Sequence, residues 1–153
     1  MNDMPDMQAQ LRNFYARGNM LIRKFMFCSI NIKKMLFKAY CGSFYCCSLW
    51  CVYTDKMLNR IRVAYNNTFR KLFGLPRDCS ASEMFVQRRV SHFLHVRRSA
   101  MFSLTSRVTH SDNIIIKECV KLSVLDGHKS PFWHLRDFLL YPDFDCRCRD
   151  CRV

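Results

Sequence analysis

Residues 60–85, RIRVAYNNTFRKLFGLPRDCSASEMF, decide the fold of this 153-residue chain. Apolar residues recur there at steps of three and four, which predicts a helix with one apolar stripe from about residue 57 to residue 73. Gly74 predicts the end of that helix, and Pro76 prevents its continuation. Ser80 and Glu83 have the spacing of a capping box, which predicts the start of another helix. The stripe comprises Met57, Leu58, Ile61, Ala64, Tyr65, Phe69 and Leu72.

The chain before this stretch predicts two further helices. Residues 8–27 form an amphipathic pattern whose apolar stripe includes Gly18. Because Gly in a helix costs about 1 kcal/mol against Ala, we expect a neighbouring helix to approach closely at Gly18. Residues 30–53 predict a second helix, with Ser29 or Asn31 as its N-cap.

The chain after this stretch predicts one long helix and two short ones. The long helix is expected from residue 80 or 81 to about residue 109. A short helix is expected over 111–125 with Ile114, Ile115, Cys119 and Leu122 facing inward, and another from Pro131 to about residue 141. The stripe expected on the long helix comprises Val86, Val90, Phe93, Ala100, Met101, Leu104 and Val108. The fold class predicted is all-α: an irregular helical bundle of about four longer and two short helices, with no sheet.

The composition indicates a basic protein of a reducing compartment. The formal charge is +13 and the pI is near 9.6, an excess that favours polyanionic partners, nucleic acid first and an anionic membrane surface second. There are ten cysteines, but the acidic start of the chain is no signal peptide. We therefore expect reduced cysteines and an intracellular location, nuclear or cytoplasmic, with no secretion.

Basic residues on the faces opposite the apolar stripes are the candidate phosphate contacts. Five arginines lie between Glu83 and Asp112 with no acidic residue among them, which indicates an electrostatic groove. The alternative interpretation is that these basic residues form a solvated surface with no dedicated partner. The candidate nucleic-acid-binding residues are Arg12, Arg17, Arg23, Lys24, Arg62, Arg70, Arg88, Arg89, Arg97 and Arg98.

Aromatic residues are weaker candidates for base stacking, and cysteines are weaker candidates for zinc binding. Phe85, Phe102 and His92 could stack bases, although core or isolated surface aromatics are the favoured interpretation. The tail holds Cys146, Cys148 and Cys151, and zinc sites commonly use such a two-residue gap. His134 or Cys119 could supply a fourth ligand. A disordered tail without metal is the favoured alternative, because no second cysteine pair follows.

Three segments together resemble the C-terminal part of the reverse transcriptase of animal non-LTR, LINE-type retrotransposons. They are YARGNMLIRKF at 15–25, residues 34–50 with LFKAYC at 36–41, and VAYNN at 63–67 followed by FGLPR at 73–77 and CSAS at 79–82. Each motif is weak alone, and their order and spacing carry the resemblance over roughly residues 10–120. The resemblance implies thumb-like helices over 9–75 and post-thumb connector helices over 76–141, between a ragged start at 1–8 and a cysteine-rich tail at 142–153.

The sequence departs from this family at the catalytic centre. The family enzyme uses a two-metal carboxylate site marked by Tyr-x-Asp-Asp, in which clustered carboxylates hold ions about 4 Å apart. This chain has no Asp-Asp pair, and no acidic residue lies between Asp6 and Asp55. No catalytic residue is therefore carried over, no cofactor is expected, and magnesium belongs only to the full-length family enzyme.

The function expected is that of a fragment of a mobile-element RNA-directed DNA polymerase without fingers, palm or activity of its own. Its partner would be RNA or an RNA–DNA hybrid, bound without sequence preference, with no small-molecule substrate; the palm would normally pack on it. One alternative is a reused helical module that binds a protein partner. A less favoured alternative is a small membrane-associated protein, since the uncharged run at 39–53 is shorter than the roughly 20 residues of a span.

Overall fold

The computed structural model describes residues 4–44 and 47–125. In this part of the chain every regular element is helical, and no strand occurs. The all-α fold class is thereby confirmed. The helices are α1 (Met4–Phe25), α2 (Ile30–Cys41), α3 (Asp55–Phe73), α4 (Ala81–Arg88), α5 (Phe93–Thr109) and α6 (Ile114–Leu125), with a 3₁₀ segment at Cys47–Val52.

The chain divides into two compact units. The first comprises Met1–Tyr45 and Tyr53–Val96, and the second comprises Cys46–Val52 and Arg97–Val153. In the first unit α1, α2 and α3 pack against one another. Their shared core is aromatic, because α3 presents Tyr65 and Phe69 to rings from α1, α2 and the α4 region.

Helix α3 matches its prediction closely. Leu58, Ile61, Ala64, Tyr65 and the rest of the expected stripe are buried, apart from the half-buried Met57. Gly74 ends the helix with a left-handed φ of 65°, and its N–H donates to the carbonyls of Arg70 and Lys71. A residue with a Cβ adopts this conformation at a cost, which is why glycine is common at this position.

Gly18 confirms the predicted close approach of two helices. A Cβ built on Gly18 would lie 2.6 Å from Cγ2 of Thr68, on α3. The missing side chain therefore lets α1 and α3 pack against each other at this point. Thr68 itself is buried, although the predicted stripe of α3 did not include it.

The second helix is shorter than predicted. It ends at Cys41 instead of continuing to residue 53. Gly42 caps it by donating to the Phe37 carbonyl, and the Ser43 hydroxyl bonds back to the Ala39 carbonyl. Glycine and serine compete in this way with helical continuation, and the chain resumes as the 3₁₀ segment.

The predicted fourth helix is two helices. Helix α4 ends at Arg88, because Arg89 adopts a left-handed conformation with φ 53°. Helix α5 then starts at Phe93, and the Nδ1 atom of His92 accepts a hydrogen bond from the backbone N–H of His95. This is the bond that an N-cap side chain makes. Val86 is exposed on α4, whose buried residues are Met84 and Phe85, so the predicted place of Val86 in the stripe is wrong.

Two local predictions are also corrected. Ser80 occupies the N-cap position of α4, but its side chain makes no capping hydrogen bond, and the Glu83 carboxylate accepts from the Gln87 amide at 2.8 Å. On α6, the predicted inward residues Ile114, Ile115, Cys119 and Leu122 are exposed. Apolar periodicity therefore located α6 without predicting its burial.

Helix α1 starts earlier than predicted, and two C-terminal predictions lie outside the described residues. Helix α1 begins at Met4, inside the stretch expected to be ragged, because Met7 and Gln10 are buried and extend the packed face. Pro5 is tolerated in the first helical turn, where its missing N–H has no intrahelical acceptor. The helix expected from residue 131 and the Cys146, Cys148 and Cys151 cluster lie outside the described residues.

Candidate nucleic-acid interface

The ten predicted phosphate-contact residues fall into three environments. Four are exposed: Arg12, Arg23, Lys24 and Arg89. Five are half-buried: Arg17, Arg62, Arg70, Arg88 and Arg98. Arg97 is buried, with 3 % of its surface exposed. A phosphate reaches the first group directly, whereas the second group already makes contacts with the protein.

Arg12 and Arg23 lie on the outer face of α1, and the exposed Lys24 lies about 100° around the helix axis from Arg23. Arg12 and Arg23 are eleven residues apart, which places them about 20° apart around the axis and roughly 16 Å apart along it. The opposite face of α1 carries the buried Phe14, Gly18 and Leu21. Arg23 and Lys24 also occupy the last turn of the helix, where the macrodipole favours positive charge.

Two half-buried arginines of the first unit connect segments of the chain, and a third bonds within its own helix. Arg17 donates to the Ser43 carbonyl at 3.1 Å, which joins α1 to the segment after α2. Arg70 donates to the Cys79 carbonyl at 2.9 Å, which ties the end of α3 to the connection before α4. Arg62 donates to the Asn59 side chain at 2.8 Å. These guanidinium groups support the fold with N–H donors that a phosphate would otherwise use.

The two arginines at the end of α4 differ in exposure: Arg88 is half-buried and Arg89 is exposed. The guanidinium carbon of Arg88 lies 5.9 Å from the centroid of the Phe73 ring, within range of a cation–π contact. Arg89 stands next to it in the left-handed conformation and is exposed. Arg89 is therefore the accessible charge at this corner.

Arg97 corrects the sequence prediction, because a buried guanidinium is inaccessible to phosphate. Within the second unit its Nη2 atom donates to the Trp50 carbonyl at 3.4 Å. Burying a guanidinium is costly unless its donors are engaged, so this residue belongs to the packing of the 3₁₀ segment. Its half-buried neighbour Arg98 remains a candidate.

The structure adds basic residues that the sequence prediction missed. Lys56, Arg60 and Lys71 are exposed on α3, and their spacing places them within a sector of about 60° that begins beside Ala64, at one edge of the buried stripe. We call Arg12, Arg23 and Lys24 the α1 ridge, and Lys56, Arg60 and Lys71 the α3 ridge. A helical wheel does not separate the α3 ridge from Arg62 and Arg70, because Arg70 also lies opposite the stripe. Its contact with the Cys79 carbonyl is what distinguishes it.

The two ridges carry little compensating negative charge. Only two acidic residues, Asp6 and Asp55, lie between residues 4 and 73. Among the described residues, the ion pairs join Lys117 to Asp112 and Lys121 to Glu118, both beside or within α6. None of the α1 or α3 ridge residues takes part in an ion pair in the described part of the chain. Their positive charges are therefore available to a negatively charged ligand at the surface.

The titratable groups with shifted pKa values belong to the core. Burial raises the pKa of the Cys41 thiol to about 12, and the charge of Arg17 opposes that rise. Burial also raises the pKa of the Tyr65 phenol, with a further contribution from Cys41. Both groups are neutral near pH 7, and neither indicates an activated nucleophile or base.

Of the three side chains considered for base stacking, one is buried and two are accessible. Phe85 is buried against Tyr65 and Phe69 and belongs to the core, as the favoured interpretation had it. Phe102 is exposed and His92 is half-buried, so both remain accessible to a base. Among residues 4–44 and 47–125, no group of three or more His, Cys, Asp or Glu side chains is arranged to hold a metal ion.

Comparison with known proteins adds no family assignment. No protein-family model, curated protein or solved structure matches the chain. Within the described residues, no helix has the length and apolar character needed to cross a membrane.

Proposed function

We propose that this protein binds RNA or RNA–DNA hybrids without sequence preference, through the α1 and α3 ridges. The observation that carries the proposal is the exposure of six basic side chains on two packed helices, in a segment with only two acidic residues. Contacts of this kind go to phosphates, which every sequence shares. Arg89 adds an accessible charge at the end of α4.

The spacing of the α1 ridge supports an extended polyanion as its partner. Arg12 and Arg23 lie on one side of the helix at a separation of roughly 16 Å. A nucleic-acid strand presents charges repeatedly over such a length, whereas a small anion would engage one residue at a time. Exposed arginine offers several N–H donors to phosphate oxygens in a fixed planar arrangement.

We further propose that the chain derives from the thumb and post-thumb region of a non-LTR retrotransposon reverse transcriptase and has no polymerase activity of its own. The motifs at 15–25, 34–50 and 63–85 support this origin, and the helical structure is compatible with it. The 153 residues contain no Asp-Asp pair, so the family's metal-binding signature is not present in them.

The salt dependence of binding tests the nucleic-acid proposal. Fluorescence anisotropy would measure binding of a labelled single-stranded RNA, and of its hybrid with DNA, between about 50 and 300 mM salt. Over such a range, counterion release changes the affinity for nucleic acid strongly. We expect log K to fall linearly with log salt, equally for RNAs of unrelated sequence. For single-stranded RNA, the double variant Arg12→Ser/Arg23→Ser should reduce the slope by about 1.4, since each lost phosphate contact contributes about 0.7.

The matched control removes two lysines that already have carboxylate partners. Lys117→Ser/Lys121→Ser changes the net charge by the same amount as the arginine variant, but these lysines pair with Asp112 and Glu118. It should leave the slope nearly unchanged. Equal effects of the two double variants would show that net charge acts without a binding surface, and the proposal would fail.

A further inference from the structure

Helix α2 has a second apolar face that the described part of the chain leaves partly exposed. Its packed face carries Phe37 and Cys41, which are buried. On the other side Ile32, Met35, Ala39 and Tyr40 are exposed, Met35 by 71 %. We call these four residues, with the half-buried Leu36, the α2 stripe.

The spacing of the α2 stripe is that of a helix-packing seam. Positions 32, 35, 36, 39 and 40 follow the i, i+3, i+4, i+7, i+8 pattern. A helix with apolar residues on opposite faces is typical of one packed on both sides. Ala39, small and flanked by Met35 and Tyr40, leaves room for another helix to approach.

Both borders of the stripe are basic. By helical position, Lys33 borders the Leu36 and Tyr40 edge, and Lys38 borders the Met35 edge. Helix α2 contains no acidic residue, and none lies between Asp6 and Asp55. The position of charges beside an apolar seam determines which helix can pair with it.

We propose that the α2 stripe docks an amphipathic helix of another protein whose apolar seam is bordered by Asp or Glu. Acidic borders would complement Lys33 and Lys38. A second copy of this chain would instead place lysine against lysine, which opposes association. A membrane-surface helix normally keeps a polar face in water, whereas the face of α2 opposite the stripe is packed against α1 and α3.

Binding of two designed helical peptides tests this proposal on the full chain. Both peptides have 21 residues, as three heptads, with Leu and Ile at the seam; one has Glu at the flanking positions and the other has Lys. Fluorescence anisotropy should show the acidic peptide binding at least about tenfold more tightly than the basic peptide. Met35→Ser should weaken the acidic peptide by about tenfold or more, since a central apolar contact is lost.

A control variant and two further assays make the outcome decisive. Val86→Ser removes an exposed apolar side chain of α4 and should leave peptide affinity unchanged, with circular dichroism confirming the helix content of both variants. Equal affinity for the two peptides, or no effect of Met35→Ser, overturns the proposal. The proposal also fails if sedimentation shows that the chain dimerises and that Met35→Ser abolishes the dimer. It fails too if the chain binds phosphatidylserine vesicles through Met35 but does not bind the acidic peptide.

Discussion

Tyr65 is the residue on which the core of the first unit centres. Its ring lies 5.0 Å from that of Phe37 and 5.6 Å from that of Phe85, measured between centroids. Such aromatic pairs add about 0.5–1.5 kcal/mol each beyond area burial. The phenol O–H donates to the Ser91 carbonyl at 2.9 Å, so this one side chain joins α3 to the connection between α4 and α5.

The variant Tyr65→Phe keeps the ring and removes that hydrogen bond. Near pH 7 we expect it to lower the free energy of unfolding by about 0.5–1.5 kcal/mol. Because burial raises the pKa of Tyr65 above its ordinary 10.0, the neutral phenol stabilises the fold fully below pH 10, and this contribution is lost as the pH rises toward the folded pKa. Urea titrations at pH 7 and above pH 10 would measure the difference.

The pH dependence separates the hydrogen bond from general packing. Phe cannot titrate, so the stability difference between the wild type and Tyr65→Phe should shrink above pH 10. Tyr15→Phe, which changes an exposed ring on α1, should have little effect at either pH. A difference that stays constant with pH would contradict the assigned environment of the phenol.

At the scale of elements, the contact between α1 and α3 depends on Gly18. Replacing Gly by Ala inside a helix ordinarily gains about 1 kcal/mol. Here the new Cβ would meet Cγ2 of Thr68 at 2.6 Å, and a β-branched side chain has few alternative rotamers in a helix. The steric cost of overpacking is about 1–3 kcal/mol.

We therefore predict that Gly18→Ala destabilises the protein in spite of the gain in helix propensity, by up to about 2 kcal/mol. Thr68→Ala removes the clashing methyl group, so Gly18→Ala should cost less in that background. A double-mutant cycle by chemical denaturation measures the coupling. Additive effects of the two substitutions would show that α1 and α3 do not meet at this point.

The boundary between α4 and α5 depends on His92. Its Nδ1 atom accepts the bond from the His95 N–H at 3.2 Å, and a protonated imidazole could not accept it. His92→Ala should destabilise the protein by about 0.5–2 kcal/mol, whereas His92→Asn, a strong N-cap residue, should largely restore stability. Thermal unfolding at pH 8 compares the three proteins. Equal loss in both variants would refute the capping role.

At the scale of the whole molecule, the positive charge favours binding of a polyanion, and the sequence contains no Asp-Asp pair. The formal charge is +13, and electrostatic attraction of this kind brings a polyanion to the surface quickly at low salt. Phosphoryl transfer through two metals additionally requires carboxylates gathered at one point. Both properties are compatible with the proposed function, in which the protein holds nucleic acid without extending it.

We predict that the purified chain does not extend a DNA primer on an RNA template with magnesium or manganese and all four deoxynucleotides. The same preparation should shift the primer–template in a binding assay at low salt, which shows that the protein is folded and that the substrate is engaged. A reverse transcriptase added to the mixture provides the positive control. Metal-dependent extension by the chain alone would refute the proposal that it is not an enzyme.

The amino-acid sequence by itself determined the helical class, the buried stripe of α3, its end at Gly74 and the close contact at Gly18. These features depend on local periodicity, on backbone conformations that favour glycine, and on the small size of a single residue. The apolar pattern also located α6, since a helix is periodic whether or not a neighbour covers it.

Only the tertiary structure decided which arginines face solvent. Arg17, Arg70 and Arg97 reach backbone carbonyls 26, 9 and 47 residues away in the chain, and no local pattern specifies such partners. The left-handed Arg89 and the cap formed by His92 likewise divided a pattern that periodicity had read as one helix. The physical reason is that periodicity reports one helix at a time, whereas exposure depends on segments distant in sequence that pack around it.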